Sequence, residues 1–473
     1  MKDSIPEEHL YLGFSHQYGD SIFPLHTSIS LFLLSYCDCK LFKIFLVPTG
    51  ENADDQLVTK NLLHDFEVCL ISRHQLPMVV QSCCLPAVVV KDGKFCRAGL
   101  SVVLRHIIQK TYEADPSRKD VLELLGFKKT CLKACAEVFS KKQGKNLLNL
   151  PLISSWYQRV QEIPRVKKAA DKCSMQLLQL PELQSAPEEQ LQNFLLVPNE
   201  LEEEHEDNHF IGGPRPTMTK LMESGIETKF SPHPCPNWTL DWNSLPAAVS
   251  PGEGKMSRDR ALRKQQQLNN LLAVVKKLAK PGDVIVDFCS GGGHVGIVLA
   301  HMMPSCQVVL IENKELSLIR AKDRSDELGL NNIWFIQANL DYFNGTFNIG
   351  VALHACGVAT DMVIEHCIKA QAAFVICPCC YGFIQNTVKF TYPQSHQFKE
   401  ILSYKEHMIL CRFADQTAVQ LPPERRLIGK QCMGLVDLDR AWAAEGRNYS
   451  VQVISMEPES CSPKNNMLVG TPA

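Results

Sequence analysis

The stretch from Asp283 to Glu312 constrains this chain more than any other. Val284-Ile285-Val286-Asp287-Phe288 is an apolar run of strand length, and Cys289-Ser290-Gly291-Gly292-Gly293-His294-Val295-Gly296 follows it directly. The helix-like Ile297-Val298-Leu299-Ala300-His301-Met302-Met303 comes next, so Gly291, Gly293 and Gly296 form G-x-G-x-x-G in the strand-to-helix setting that gives this spacing its meaning. Glycines there permit a tight turn at positive φ and let the backbone approach a ligand that a Cβ would exclude. A second strand, Val308-Val309-Leu310-Ile311, ends in Glu312, 21 residues after Gly291. A carboxylate at that place accepts hydrogen bonds from both hydroxyls of a ribose. The pattern predicts an open, parallel α/β sheet with a nucleoside site at its carboxyl edge.

The acid at the end of the first strand narrows the choice of cofactor. Asp287 stands four residues before Gly291 in D-x-C-x-G-x-G, and this resembles the first motif of class I S-adenosylmethionine-dependent methyltransferases. The resemblance implies a Rossmann-like domain with S-adenosylmethionine as cofactor. The implied cofactor site is Asp287, Cys289, Ser290, Gly291, Gly292, Gly293, Gly296 and Glu312. A third strand, Ile333 to Asn339, would end against the adenine with Asn339 in place of the commoner Asp, followed by Leu340. The fourth and fifth strands, Ile349 to Gly357 and Ala373 to Tyr381, would end in the same region and bring in His354. The pairing of His354-Ala355-Cys356-Gly357…Thr360-Asp361 with Pro378-Cys379-Cys380-Tyr381 resembles a methyltransferase subgroup that includes transfer-RNA-modifying enzymes, which implies an RNA acceptor.

Catalytic candidates are His354, Cys379, Cys380 and Tyr381. His354 either lines the pocket or removes a proton from the acceptor. Cys379 or Cys380 would serve as a nucleophile in covalent addition to a pyrimidine, although the Pro-Cys pair such enzymes carry after the fourth strand is missing. Alternatively the segment is a tight turn that shapes the pocket, with Tyr381 stacking on a substrate. His354, Cys356, Cys377, Cys379 and Cys380 lack the usual spacing of structural zinc ligands, and no metal is expected. His294 reads as a loop residue, and Asp341 and Asp361 as helix starts. Between Lys255 and Lys280 stand eight cations (Lys255, Arg258, Arg260, Arg263, Lys264, Lys276, Lys277, Lys280) against Asp259 alone. That balance suits phosphate, and a solvated face or a partner for the acidic run near Glu203 explains it as well.

Ahead of this domain the pattern is βαβ followed by ββα. Leu10 to Phe14, Leu41 to Val47, Leu85 to Val90 and Lys94 to Arg97 read as strands, with a turn at Lys91-Asp92-Gly93 and a helix through Val102 and Ile107. Helical periodicity runs from about 118 to 178 and includes Leu150-Pro151-Leu152-Ile153-Ser154-Ser155-Trp156-Tyr157. Over residues 8 to 175 this order, with Pro86 before a strand, resembles the glutathione S-transferase family. Ser15, Tyr18 and Ser21 fit no thiol-activating pattern of that family, and of its acidic-Ser pair only Ser101 remains. The expectation is a non-catalytic module that recruits protein partners or dimerises.

The expected layout is thus 1–115 thioredoxin-like, 116–180 α-helical and shortened, 181–253 an acidic, Pro-rich linker whose Trp238 and Trp242 either dock on the next domain or are solvent-exposed linker aromatics, and 254–473 the methyltransferase domain. Met408 to Cys411 reads as its sixth strand, and Tyr449 to Ile454 with Asn466 to Gly470 as a closing hairpin turned at Ser462 to Asn465. The chain has 473 residues, 45% hydrophobic and 21% charged, with a formal charge of −2, so no global field steers it to nucleic acid. Acids at Asp3, Glu7 and Glu8 speak against a signal peptide, no apolar run reaches membrane-span length, and twenty cysteines suit a reducing compartment; a cytoplasmic protein without membrane association is expected. The competing classes are an adaptor that keeps both folds without catalysis and a glutathione-conjugating enzyme.

Overall fold

The computed structural model describes residues 8–14, 23–48, 66–125, 162–173, 213–252 and 256–473. Ser15, Tyr18, Ser21, the segment around Trp156, the acidic run at 200–207 and Lys255 lie outside the described residues. The chain forms two compact units, one of residues 1–76, 85–91 and 99–211, the other of 77–84, 92–98 and 212–473.

In the first unit β1 (Glu8–Phe14) lies parallel to β2 (Phe42–Pro48), β2 parallel to β3 (Val68–Leu70), and β1 antiparallel to β4 (Ala87–Val90). Helices Leu25–Cys37 and Leu100–Ala114 pack on this sheet. Their apolar residues Leu31, Leu34, Val103 and Ile107 join Leu10, Leu12, Ile44, Leu46 and Val88 in one core. Of the expected helical part, Lys119–Glu123 and Pro164–Lys172 are described.

The second unit is built on a mixed sheet. Its strands are β5 (Phe95–Ala98), β6 (Val284–Phe288), β7 (Gln307–Glu312), β8 (Ile333–Gln337), β9 (Ile349–Cys356), β10 (Ala373–Cys379), β11 (Tyr449–Ser455) and β12 (Asn466–Pro472). They run in the order β11-β12-β10-β9-β6-β7-β8-β5. Strands β5 to β10 are parallel, and β12 is antiparallel to both neighbours. The chain moves from β6 toward β8 on one side, then returns to lay β9 against the other side of β6. This reversal leaves a crevice at the carboxyl ends of β6 and β9, where open α/β sheets hold ligands. Burial on both faces accounts for the unbroken apolar runs of β6 and β7.

Three expectations are corrected. Met408 to Cys411 is not a strand: it lies in the helix Tyr404–Ala414, started by a capping box of Ser403 and Glu406, with His407, Leu410, Cys411 and Ala414 buried at helical spacing. The sixth strand of the expected 254–473 domain is therefore β11. The described part of the expected linker is folded into the second unit. There Leu221, at the end of helix Arg215–Glu223, and Ile226 enter a core with Tyr381, Phe398 and Met433, and the Trp242 indole donates to Asn269 Oδ1 (3.0 Å). Finally, residues 92–98 are not part of the N-terminal unit. β5 extends the second unit's sheet along β8, Phe95 stacks on Phe335, and Arg97 gives two hydrogen bonds to Glu315 Oε1 (3.0 and 2.8 Å).

Candidate functional site

The loop after β6 is shaped by backbone that side chains rarely tolerate. Gly291 and Gly293 have φ of +55° and +74°, and a Cβ on Gly293 would stand 2.8 Å from Ala321 Cβ and 2.9 Å from Leu310 Cδ2. Gly296 packs its α-carbon against Leu310 so that the helix His294–Met302 can lie close on β7. A Cβ on Gly291 would meet nothing within 4 Å, so that glycine is required by its φ and by the open space beside it.

Carboxylates hold the loop from two sides. Gly296 N–H donates to Asp287 Oδ2 (2.9 Å), Gly291 N–H to Glu312 Oε2 (2.9 Å) and Lys314 N–H to Glu312 Oε1 (2.8 Å). Asp287 is fully buried, its Oδ1 has no hydrogen-bond partner among the described residues, and neither has the buried Ser290 Oγ. Burial pushes the Asp287 carboxyl up to about 7, with Glu312 acting the same way and Lys264 and the Gly296 N–H opposing. Burial also drives the Cys289 thiol up to about 12, with help from Glu312 and Asp287.

Asn339, half-buried, begins a short turn beyond β8, and Leu340 after it is buried. On the other side of β6, His354 is a bulge in β9. Pairing passes from Leu353–Cys377 to Ala355–Pro378 and skips His354, whose φ is +71°. Its Nε2 pairs with Gln267 Oε1 (3.0 Å), and Gln267 in turn donates to Cys461 O (2.7 Å). Burial first and Lys264 second lower His354 to about 4, so the ring is neutral at pH 7. With Nε2–H given to the amide oxygen, Nδ1 keeps the lone pair.

The cysteines differ sharply. Cys379 is buried, and its hydrogen bond with Cys356 and its burial hold its thiol far above the usual range; Cys380 is half-buried and also raised, mainly by burial. Cys356 is exposed. The hydrogen bond from Cys379 lowers it to about 6, with Cys380 and Lys314 adding to the effect. The most available thiolate is thus Cys356, not the expected Cys379 or Cys380.

Tyr381 is corrected as well. Its ring is fully buried and its hydroxyl donates to Asp437 Oδ2 (2.7 Å), so it cannot stack on a substrate. The turn Tyr381–Phe383 sends that side chain inward because Asp415 accepts from the N–H groups of Tyr381 (3.1 Å) and Gly382 (2.8 Å). Phe383, 75% exposed, is the aromatic at the surface of this turn. Asp361, expected as a helix start, also anchors a buried network. It takes Arg440 Nε (3.0 Å) and Nη2 (2.9 Å), the Tyr392 hydroxyl (2.7 Å) and the Gln394 amide (2.6 Å).

Sequence reasoning missed Gln267, Lys264 and Arg324 as site residues. Lys264 belongs to the basic stretch, yet its ammonium is largely desolvated and interacts with Asp287, Cys377 and Cys379, which lift its lowered pKa. Arg324 donates to Gly292 O (2.9 Å) and Ala248 O (2.9 Å) and clamps the glycine loop from outside. None of these carries a spacing signal, because Lys264 and Gln267 arrive from the helix Arg258–Leu278 and Arg324 from the helix Glu315–Glu327, each distant in sequence from the glycine loop or from β9.

Residues 263–387 match the model of a methyltransferase domain family. The human glutathione S-transferase C-terminal domain-containing protein is 55% identical over 629 residues, covering 100% of this chain and 99% of that protein. Since 629 aligned positions exceed the 473 residues here, that relative carries internal stretches this chain lacks. A homolog from Drosophila melanogaster is 44% identical over 263 residues, 54% of this chain and 44% of its own. Among solved structures, magnesium protoporphyrin IX methyltransferase from Synechocystis PCC 6803 with bound SAH aligns over 46% of this chain and 89% of its own, at 14% identity and a TM-score of 0.30, too low to support any inference. With a methyltransferase domain spanning β6 to β10 and a relative of this identity over the full length, the chain belongs to the family of glutathione S-transferase C-terminal domain-containing proteins.

Proposed function

We propose that this protein is an S-adenosylmethionine-dependent methyltransferase acting on RNA, and that its first unit is a glutathione S-transferase-like module that recruits partners without catalysis. One observation carries the reading: Asp287, the positive-φ glycine loop and Glu312 converge at the strand-order reversal of a parallel sheet. The donor fits the residues present. Asp287 Oδ1 has no hydrogen-bond partner among the described residues and suits the donor's ammonium, Glu312 suits its ribose hydroxyls, and no side chain of the described residues fills the space beside Gly291. Bound there, S-adenosylmethionine supplies an electrophilic methyl group on a sulfonium sulfur. The protein's share is positioning and exclusion of water, with His354 Nδ1 as a proton acceptor of low basicity. Arg258, Arg260 and Arg263 are exposed on one end of the helix Arg258–Leu278 and support a phosphate-bearing acceptor, while Lys264 serves the donor site.

Calorimetric titration of S-adenosylmethionine into the full chain tests the donor site. Binding is expected in the parent and lost in Gly291→Val, with Arg258→Glu unaffected. A folded parent that binds no donor would leave an adaptor built on a methyltransferase fold. The acceptor is tested by label transfer from the donor to total RNA and to protein. Label in protein alone refutes RNA.

A further inference from the structure

We propose that Cys356, Cys379 and Cys380 form a binding site for a thiophilic divalent cation of the zinc class, with three protein ligands and a fourth position open to solvent. Their three sulfurs lie within 4.8 Å of one another, and the Cys356 and Cys379 sulfurs are 3.2 Å apart. A tetrahedral zinc with Zn–S bonds of about 2.3 Å needs sulfurs about 3.8 Å apart, so small side-chain rotations suffice.

Two departures from regular strand geometry create the cluster. The first is the bulge at His354. By skipping that residue, the β9–β10 pairing sets Cys356 beside Cys379; in unbroken register Ala355 would stand there. The second is at Cys380. Successive side chains of a strand point to opposite faces, so Cys380 would face away from Cys379. Instead it takes left-handed backbone, φ +51° and ψ +53°, and its sulfur stays with the other two.

The surroundings fit a metal. Asp415 ties down the ligand-bearing turn through the N–H groups of Tyr381 and Gly382, and Lys464 binds Asp415 Oδ1 at 2.7 Å. These are the outer contacts that orient ligands. Three thiolates around a divalent cation carry one net negative charge, which Lys464 and Lys314, both interacting with these thiols, offset. His354 stands outside the group, leaving the fourth position for water or an acceptor atom, as in zinc sites that polarise what they bind. The proposal does not depend on the donor reading.

The test uses the full chain, reduced and stripped with a chelator. Zinc is titrated against a chromophoric competitor, and cobalt substitution is followed for thiolate charge-transfer and tetrahedral ligand-field bands. One ion per chain is expected, with both bands. Cys356→Ser and Cys380→Ser should abolish them while thermal melts show folded protein, and Asp415→Asn should weaken zinc about 10- to 100-fold. The proposal fails if folded, reduced parent binds no ion, or if both cysteine variants bind as the parent does. Peptide mass spectrometry adds a further check. A Cys356–Cys379 disulfide whose reduction does not restore zinc binding would show that the pair is a redox couple instead.

Discussion

At the residue scale, the glycine loop separates folding from binding. Gly293 and Gly291 both have positive φ, but only Gly293 has side chains where a Cβ would go. Gly293→Ala should destabilise the protein by about 1–3 kcal/mol in urea unfolding, through overpacking added to backbone strain. Gly291→Ala should cost only about 1 kcal/mol, and its larger effect should be on donor affinity by calorimetry. Asp287 offers a test by pH. Its folded-state carboxyl sits near 7, above the ordinary 3.8, so its ionisation opposes folding as pH rises through that interval, and the penalty is complete above about 7. Asp287→Asn should therefore stabilise the donor-free protein at pH 8 by about 1–3 kcal/mol. A cationic donor favours the ionised form, so its affinity should fall up to roughly tenfold per pH unit below 7 in the parent and lose that dependence in the Asn variant. A flat parent profile would refute the role of Asp287.

At the element scale, local signals and long-range ties contribute differently. The helix Tyr404–Ala414 begins at a capping box, and Ser403→Ala should cost about 1 kcal/mol by chemical denaturation. That signal, Ser403 followed by Glu406, is present in the sequence, whereas the apolar run Met408 to Cys411 taken alone reads as a strand. The helix Pro423–Glu445 is held by Arg440, which is buried with Asp361 and Asp437 and also binds Gly357 O at 3.0 Å. Arg440→Met should destabilise by about 3–5 kcal/mol, because two buried carboxylates lose their counter-charge. A loss below about 1 kcal/mol would refute the role of Arg440 as their counter-charge. Arg440 is separated from Asp361 by 79 positions, and no periodicity announces such a pair.

At the scale of the whole molecule, the second unit is not a contiguous C-terminal piece. It takes residues 77–84 and 92–98 from the N-terminal part of the chain, and 212–252 from the expected linker. A fragment of 250–473 would leave the β8 edge without β5, and the core around Met433 without Leu221 and Ile226. Exposed parallel edges promote association. Such a fragment should elute as aggregate in size-exclusion chromatography and melt below the full chain. Monomeric behaviour with an unchanged melt would show β5 to be dispensable. Among the described residues no helix is long and apolar enough to cross a membrane.

By itself the sequence determined the elements whose signals are local: β6, the glycine loop and its helix, the acid ending β7, the succession of β8, β9 and β10 along the chain and the closing pair β11 and β12. Each is written in consecutive residues whose burial and turn chemistry are set within a few positions. Tertiary structure alone decided which residues meet. It turned Tyr381 inward onto Asp437, brought Lys264 and Gln267 to the site from a helix, and moved the available thiolate from the Pro-Cys-Cys turn to Cys356. It also gathered the sulfurs of two strands at one point. These outcomes depend on strand register and on one bulged residue, and register emerges only when whole strands pair.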